Sequence, residues 1–207
     1  MPTSNKKGMR PQGFPKEQVV KLRYCETVSV NPGAGAIDSY QFVANGCHDP
    51  NLTGVGHQPY LWDEWKAFYN HYVVLGSKIS VQMVADSESN QSSVICGVYL
   101  SDDSTISTNA VALCEKGLTH YKVVPQGRQV VSKLDYKFSA KEFFNVTDVK
   151  DNLDRLGAAI TANPTETAIF SIFARSLDGA SDPTAFDMLV TLDYIVAFSE
   201  PTEIGQS

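Results

Sequence analysis

The chain has 207 residues, of which 43% are hydrophobic and 19% charged, and its formal net charge is −6. Such a chain buries a full core without disulfides or metals, which excludes an intrinsically disordered protein. No apolar run reaches the length of a membrane span, so no membrane partner is expected.

The charge is unevenly spread. Residues 1–24 hold Lys6, Lys7, Arg10, Lys16, Lys21 and Arg23 against Glu17, a balance of +5 that leaves −11 for the rest. With Pro2, Pro11 and Pro15, residues 1–15 read as a flexible basic arm. Residues 16–200 then form one domain, and 201–207 a tail. A basic arm neutralises phosphates without first folding, so those six cations are the candidate nucleic-acid-binding residues. The arm holds no apolar segment of the kind that directs secretion, and synthesis in the cytosol is expected. Lys6-Lys7 alone is too short for a nuclear localisation signal.

The first strand follows the arm. Val20, Leu22, Tyr24, Val28 and Val30 share one parity, and Lys21, Arg23, Thr27 and Ser29 the other. Glu26 interrupts the apolar face and marks either a strand end or a bulge. After "NPGAG", residues 39–44 predict a second strand with Tyr40 and Phe42 on one face. The stretch "NGCHDPNLTGVGHQP" is turn chemistry and predicts a long loop over 45–59. Residues 60–69 fit a short helix, with Asp63 and Glu64 near its start and Trp62, Trp65, Phe68, Tyr69 and Tyr72 at helical spacing. His57 and Gln58, just before Pro59, are placed to bond backbone and fix how the loop enters that helix.

Alternation at Ile79, Val81 and Met83 predicts another strand within 72–85, and "DSESNQSS" a polar loop. Residues 94–100 are a near-continuous apolar strand, and 101–118 a second polar connection. Strands are expected at 121–124 and 130–138, a helical turn and loop at 140–156, and a strand at 167–174. Phe186, Met188, Val190, Leu192, Tyr194, Val196 and Phe198 hold one parity and predict a long strand with one buried face. About eight strands, one short helix and several long loops, with no βαβ rhythm and no repeat, predict an all-β fold. An eight-stranded single jelly-roll β-sandwich accommodates loops of this length.

No constellation supports catalysis. No serine lies in a GxSxG elbow, no HxH or HxxxH spacing joins His48, His57, His71 and His120, and no phosphate-cradling glycine motif occurs. The chain is therefore not expected to be an enzyme or to hold a cofactor. Cys25, Cys47, Cys96 and Cys114 form no CxxC pair and read as buried or half-buried thiols. Calcium between subunits is a weaker candidate, at Asp102-Asp103, at Asp148 with Asp151, or at Asp86 with Glu88.

The segment "ANGCHDPNLTGVGHQPYLWDEWKAFYNHYVVLGSKISV", residues 44–81, carries a resemblance. Asn45, Asp49, Pro50, Thr53, Gly54, Gly56, His57, Gln58, Pro59, Asp63, Trp65, Tyr69, Tyr72, Gly76, Ser77, Lys78 and Ile79 follow a pattern similar to one in capsid proteins of small circular Rep-encoding single-stranded DNA (circo-like) viruses. The resemblance covers about a fifth of the chain. It implies a non-enzymatic jelly-roll protein whose copies build an icosahedral shell around a single-stranded DNA genome, with the arm facing inward. The virion is then its location, with nuclear entry compatible with assembly; host and receptor are not encoded in any motif. The short, arginine-poor arm departs from the long arginine-rich arm of that family. Two alternatives share the sandwich: the coat protein of a small RNA virus, and a cellular lectin-like binding module.

Overall fold

Alternating apolar and polar side chains build the long strands, and continuous apolar runs build the central ones. The computed structural model describes residues 13–85, 92–125 and 130–203. Nine strands occur among them: β1 (Glu17–Val30), β2 (Asp38–Val43), β3 (Tyr69–Ala85), β4 (Val94–Ser101), β5 (Thr119–Val124), β6 (Val130–Ser139), β7 (Gly157–Ala159), β8 (Ile169–Ser176) and β9 (Phe186–Pro201). Four short helices join them: α1 (Trp62–Lys66), α2 (Ala110–Glu115), α3 (Ala140–Phe143) and α4 (Leu153–Leu156).

The larger sheet runs β1-β9-β3-β6, with β7 also paired to β3, and the smaller runs β2-β8-β4-β5. All pairings are antiparallel. With β7 set aside, the first strand pairs with the last, β2 with β8, β3 with β6, and β4 with β5. These are the nested pairs of one long hairpin rolled up so that alternate pairs fall into opposite sheets. That is the jelly roll expected from the sequence.

The core lies between the sheets. Leu22, Tyr24, Ile79, Val81, Tyr136, Val190 and Tyr194 face Phe42, Val98, Phe170 and Ile172 across it. β4 and β8 are buried along nearly their whole length because the smaller sheet is covered twice. Its second face carries α2, where Ala110 and Leu113 pack on Ile95 and Phe173. Gly97 makes room there, since a Cβ at that position would meet the Phe173 ring at 2.4 Å. Asn109 caps α2 by accepting from the amides of Val111 and Ala112.

Several expectations change. The aromatic helix spans only Trp62–Lys66, so Tyr69 and Tyr72 lie on β3 rather than on the helix. Their apparent helical spacing arises because α1 ends almost directly in a strand that buries the same aromatic side of the chain. Glu26 is neither a strand end nor a bulge: β1 pairs with β9 without interruption from Glu17↔Ser199 to Val30↔Phe186. The bulge sits on β3, where register with β9 shifts between Val74 and Gly76. Before it Tyr72 and Val74 point inward; beyond it Ile79, Val81 and Met83 do. The polar connection 101–118 holds α2, and β7 adds a ninth strand too short to show a period. Cys25 is exposed, not buried; Cys47 and Cys96 are buried and Cys114 half-buried. Burial pushes the Cys96 thiol up to about 12.

Packing starts before residue 16. The Phe14 ring lies 4.6 Å from Phe68, and the Tyr69 hydroxyl donates to Pro15 O at 3.0 Å. At the other end, the Thr202 amide donates to Phe68 O at 2.9 Å. Residues 1–12, with Lys6, Lys7 and Arg10, and the loop positions Asp86 and Glu88 lie outside the described residues.

Candidate functional site

Residues 45–61 cross one end of the sandwich and are tied down by buried amides. The Asn45 side chain donates to Glu166 O and accepts from the Ala168 amide, both at 2.8 Å. Asn163 grips the loop in the same way, donating to Asp49 O at 2.9 Å and accepting from its amide at 3.2 Å. Gly46 lets this grip close, since a Cβ there would meet Asn163 Oδ1 at 2.6 Å. The Tyr72 hydroxyl accepts from the Cys47 amide and donates to Ala162 O, so one core tyrosine bridges two loops.

Asn51 is fully buried and uses its whole amide. Its Nδ2 donates to Glu26 Oε2 at 3.0 Å and to the Tyr40 hydroxyl at 2.8 Å. Its Oδ1 accepts from the amide and hydroxyl of Thr53, closing the turn that Gly54 completes at φ 74°. Glu26 also accepts from the Tyr24 hydroxyl. The acid that interrupts the apolar face of β1 is thus the acceptor at the centre of a polar knot. Burial, followed by the bond to Glu26, raises the Tyr24 phenol well above its ordinary value. Gly56 passes over this knot, where a Cβ would lie 2.7 Å from both Asn51 Cβ and the Tyr24 hydroxyl.

His57 and Gln58, just before Pro59, both contact backbone carbonyls. The His57 ring lies 4.5 Å from Tyr24, with Nδ1 2.8 Å from Gln58 O and Nε2 3.0 Å from Cys25 O. Gln58 Nε2 donates to His48 O, and the Tyr60 amide to Arg23 O, each at 3.0 Å. Pro59 is buried. Asp63 is exposed near the start of α1 and faces Lys66 at 4.0 Å. Trp62, not Trp65, is the buried tryptophan, edge-on to Tyr72 at 4.9 Å. Trp65 is half-buried and stacks on Phe198 at 5.6 Å. The latched loop presents apolar side chains outward, with Val55 81% and Tyr60 78% exposed.

The cations of β1 belong to a second surface, the outer face of the larger sheet. Lys21 and Arg23 are exposed there, and Lys16, also exposed, lies just before the strand. Arg23 clasps Asp193 with Nε at 2.7 Å and Nη2 at 2.9 Å, and Lys21 reaches the same carboxylate at 3.3 Å. The Arg23 bonds hold the Asp193 carboxyl below its usual range. Lys78 and Lys133 likewise share Asp135, at 3.2 and 3.6 Å. Lys78, Lys133 and Lys137 join the basic set only through strand register, which no local sequence signal shows.

The loop contains no reacting set. His48 contributes its carbonyl to the latch, and the His57 ring is held between two carbonyls. Among the described residues no three His, Cys, Asp or Glu side chains come together as a metal site. Asp103 and Asp148 accept the amides of Thr105 and Lys150 as turn formers.

No family model matches the chain, and no curated protein matches it. In three dimensions it is similar to solved structures of viruses and their capsid proteins. The structure of Mud crab tombus-like virus aligns with 97% of this chain and 96% of that chain, at 13% identity and a TM-score of 0.52. The decameric BFDV capsid protein aligns over 89% of this chain and 99% of that one, at 12% identity and 0.49. Desmodium yellow mottle tymovirus aligns over the whole of both chains, at 11% and 0.47. At such identities the likeness concerns the fold.

Proposed function

We propose that this chain is a viral capsid protein. Its copies assemble into a small icosahedral shell around a single-stranded DNA genome, and the basic N-terminal arm faces inward to contact that nucleic acid. The supporting observation is the nested jelly-roll strand order, together with alignment of nearly the whole chain on the structure of Mud crab tombus-like virus. The motif over residues 44–81 supports the single-stranded DNA assignment, and its residues work as architecture: they latch a loop and seat a short helix. A shell protein needs rigid, exposed apolar contacts, and the latched loop carrying Val55 and Tyr60 supplies them. The protein acts by assembly and not by catalysis.

Electron microscopy of the purified full-length chain tests this directly. Uniform closed shells are expected, with an absorbance ratio showing enclosed nucleic acid that DNase degrades once the shells are opened. A monodisperse monomer at physiological salt and high concentration overturns the shell. Contents degraded by RNase instead reassign the genome. Deleting residues 1–12, which stops short of the packed Phe14, is expected to lower the nucleic acid content and leave shells intact. Unchanged content removes the arm from packaging.

A further inference from the structure

The bulge on β3 does more than re-phase the core. Just before the bulge Tyr72 and Val74 point into the core opposite Phe198 and Val196; past it Ile79, Val81 and Met83 do, so the inward parity changes from even to odd. Lys78 therefore faces solvent, where an unbroken strand would aim it into the core. On the same face Gly76 lies opposite Ile195 on β9 and Ser139 on β6, and leaves a gap where a side chain would stand. Lys21, Lys78, Lys137 and Asp193 rim this gap as a pocket of about 290 Å³. A Cβ on Gly76 would meet Phe138 O at 2.8 Å, so close strand packing as well as the pocket depends on glycine here.

The charges around the pocket do not cancel. Asp193 is shared by Lys21 and Arg23, and Asp135 by Lys78 and Lys133. Each carboxylate thus offsets only one of its two cations. Lys137, the Cα partner of Lys78, has no carboxylate partner among the described residues. Register sets Arg23, Asp193, Lys78 and Lys137 in one row across four strands. The next carboxylate along β9 on this face, Asp187, lies six residues away opposite Ser29 and Val84, roughly 20 Å at strand rise. The face is therefore locally cationic on a chain that is acidic as a whole.

We propose that this pocket binds a phosphate group. Lys137 is its unpaired donor, Lys78, which shares Asp135 with Lys133, its second, Lys21 its third wall, and Asp193 the brace that holds Lys21 and Arg23 in place. A tetrahedral oxyanion suits a small gap flanked by ammonium groups, which bind as point charges and do not require the planar fork of arginine. The group is either a phosphodiester of a nucleic acid strand or free phosphate. β1 continues directly from the basic arm into this face, which favours the polymer. That identity rests on the shell reading; the pocket itself does not.

The test compares the full-length chain with Lys78→Gln/Lys137→Gln, and with Lys66→Gln/Lys141→Gln as a control carrying the same change in net charge. Two probes are used: a labelled single-stranded deoxyoligonucleotide followed by anisotropy across a salt series, and inorganic phosphate followed by calorimetry. Thermal melts verify folding, and micrographs record shells separately. For the polymer, the slope of log affinity against log salt falls by about 1.4 in the pocket variant, from two contacts at ~0.7 each, and not in the control. For free phosphate, the calorimetric signal of the wild-type chain disappears in the pocket variant while oligonucleotide binding holds. If a folded pocket variant matches the wild type with both probes, the pocket is not an anion site. Absence of shells in the wild type overturns the shell reading without touching this result.

Discussion

Asn51 shows how one side chain decides a loop. It is buried and bonded to Glu26, Tyr40 and Thr53, and a hydrocarbon in its place would leave the Tyr40 hydroxyl without this donor and Glu26 with Tyr24 alone. A buried unsatisfied polar group costs about 1–3 kcal/mol, more when charged. Asn51→Ala is therefore expected to lose roughly 2–3 kcal/mol in urea unfolding, and Asn51→Asp more, because it sets a carboxylate against Glu26. A loss below half a kcal/mol in both would mean that the knot does not hold the loop. The tryptophans give a second contrast. Trp62→Ala should cost about 3–5 kcal/mol and Trp65→Ala clearly less, since only Trp62 is enclosed. Equal losses would contradict the packing. Turn residues and the apolar parity of β1 are visible in the sequence, and so is the interruption at Glu26. Its partner Asn51, 25 residues away, is not, because hydrogen bonding between distant segments leaves no local pattern.

Elements differ in how well they announce themselves. β1 and β9 alternate cleanly because one face meets the core and the other meets water. β4 and β8 read as continuous apolar runs because α2 covers their second face. The bulge of β3 and the three-residue β7 are silent, since a bulge merely shifts parity and so short a strand has no period. β1 and β9 are further joined by the cluster of Lys21, Arg23 and Asp193. The Asp193 carboxyl is held low by Arg23 first and Lys21 next. Its folded value lies below the unfolded value of about 3.9. The stability it adds is thus present above that pH and fades as pH falls through the folded value. Because its partners are largely solvated, the contribution is about 0.2–1 kcal/mol. Asp193→Asn should therefore show a shallower loss of stability from pH 4 to pH 2 than the wild type. Parallel curves would mean that the cluster adds nothing to folding. The loop before α1 offers a separate test of assembly. Tyr60→Asp should leave melting nearly unchanged, because the ring is already in water, and yet weaken shell formation. Unaltered shells would exclude this loop from subunit contacts.

For the whole molecule, composition and periodicity by themselves determined an all-β domain, and turn chemistry located its long loop. These follow from local physics: side-chain parity, propensity and backbone freedom act over a few residues. Only the tertiary structure decided which strands pair. The nested order of first with last joins β1 to β9 across most of the chain, and nothing local encodes such a closure. It also decided where charge gathers. Lys21 and Arg23 could be seen as cations in the sequence, but Lys78 and Lys137 join them only because a bulge turns β3 over and register lays four strands side by side. A linear chain sets the charge of each residue, whereas the field at a surface is a sum over neighbours in space, and folding alone chooses those neighbours.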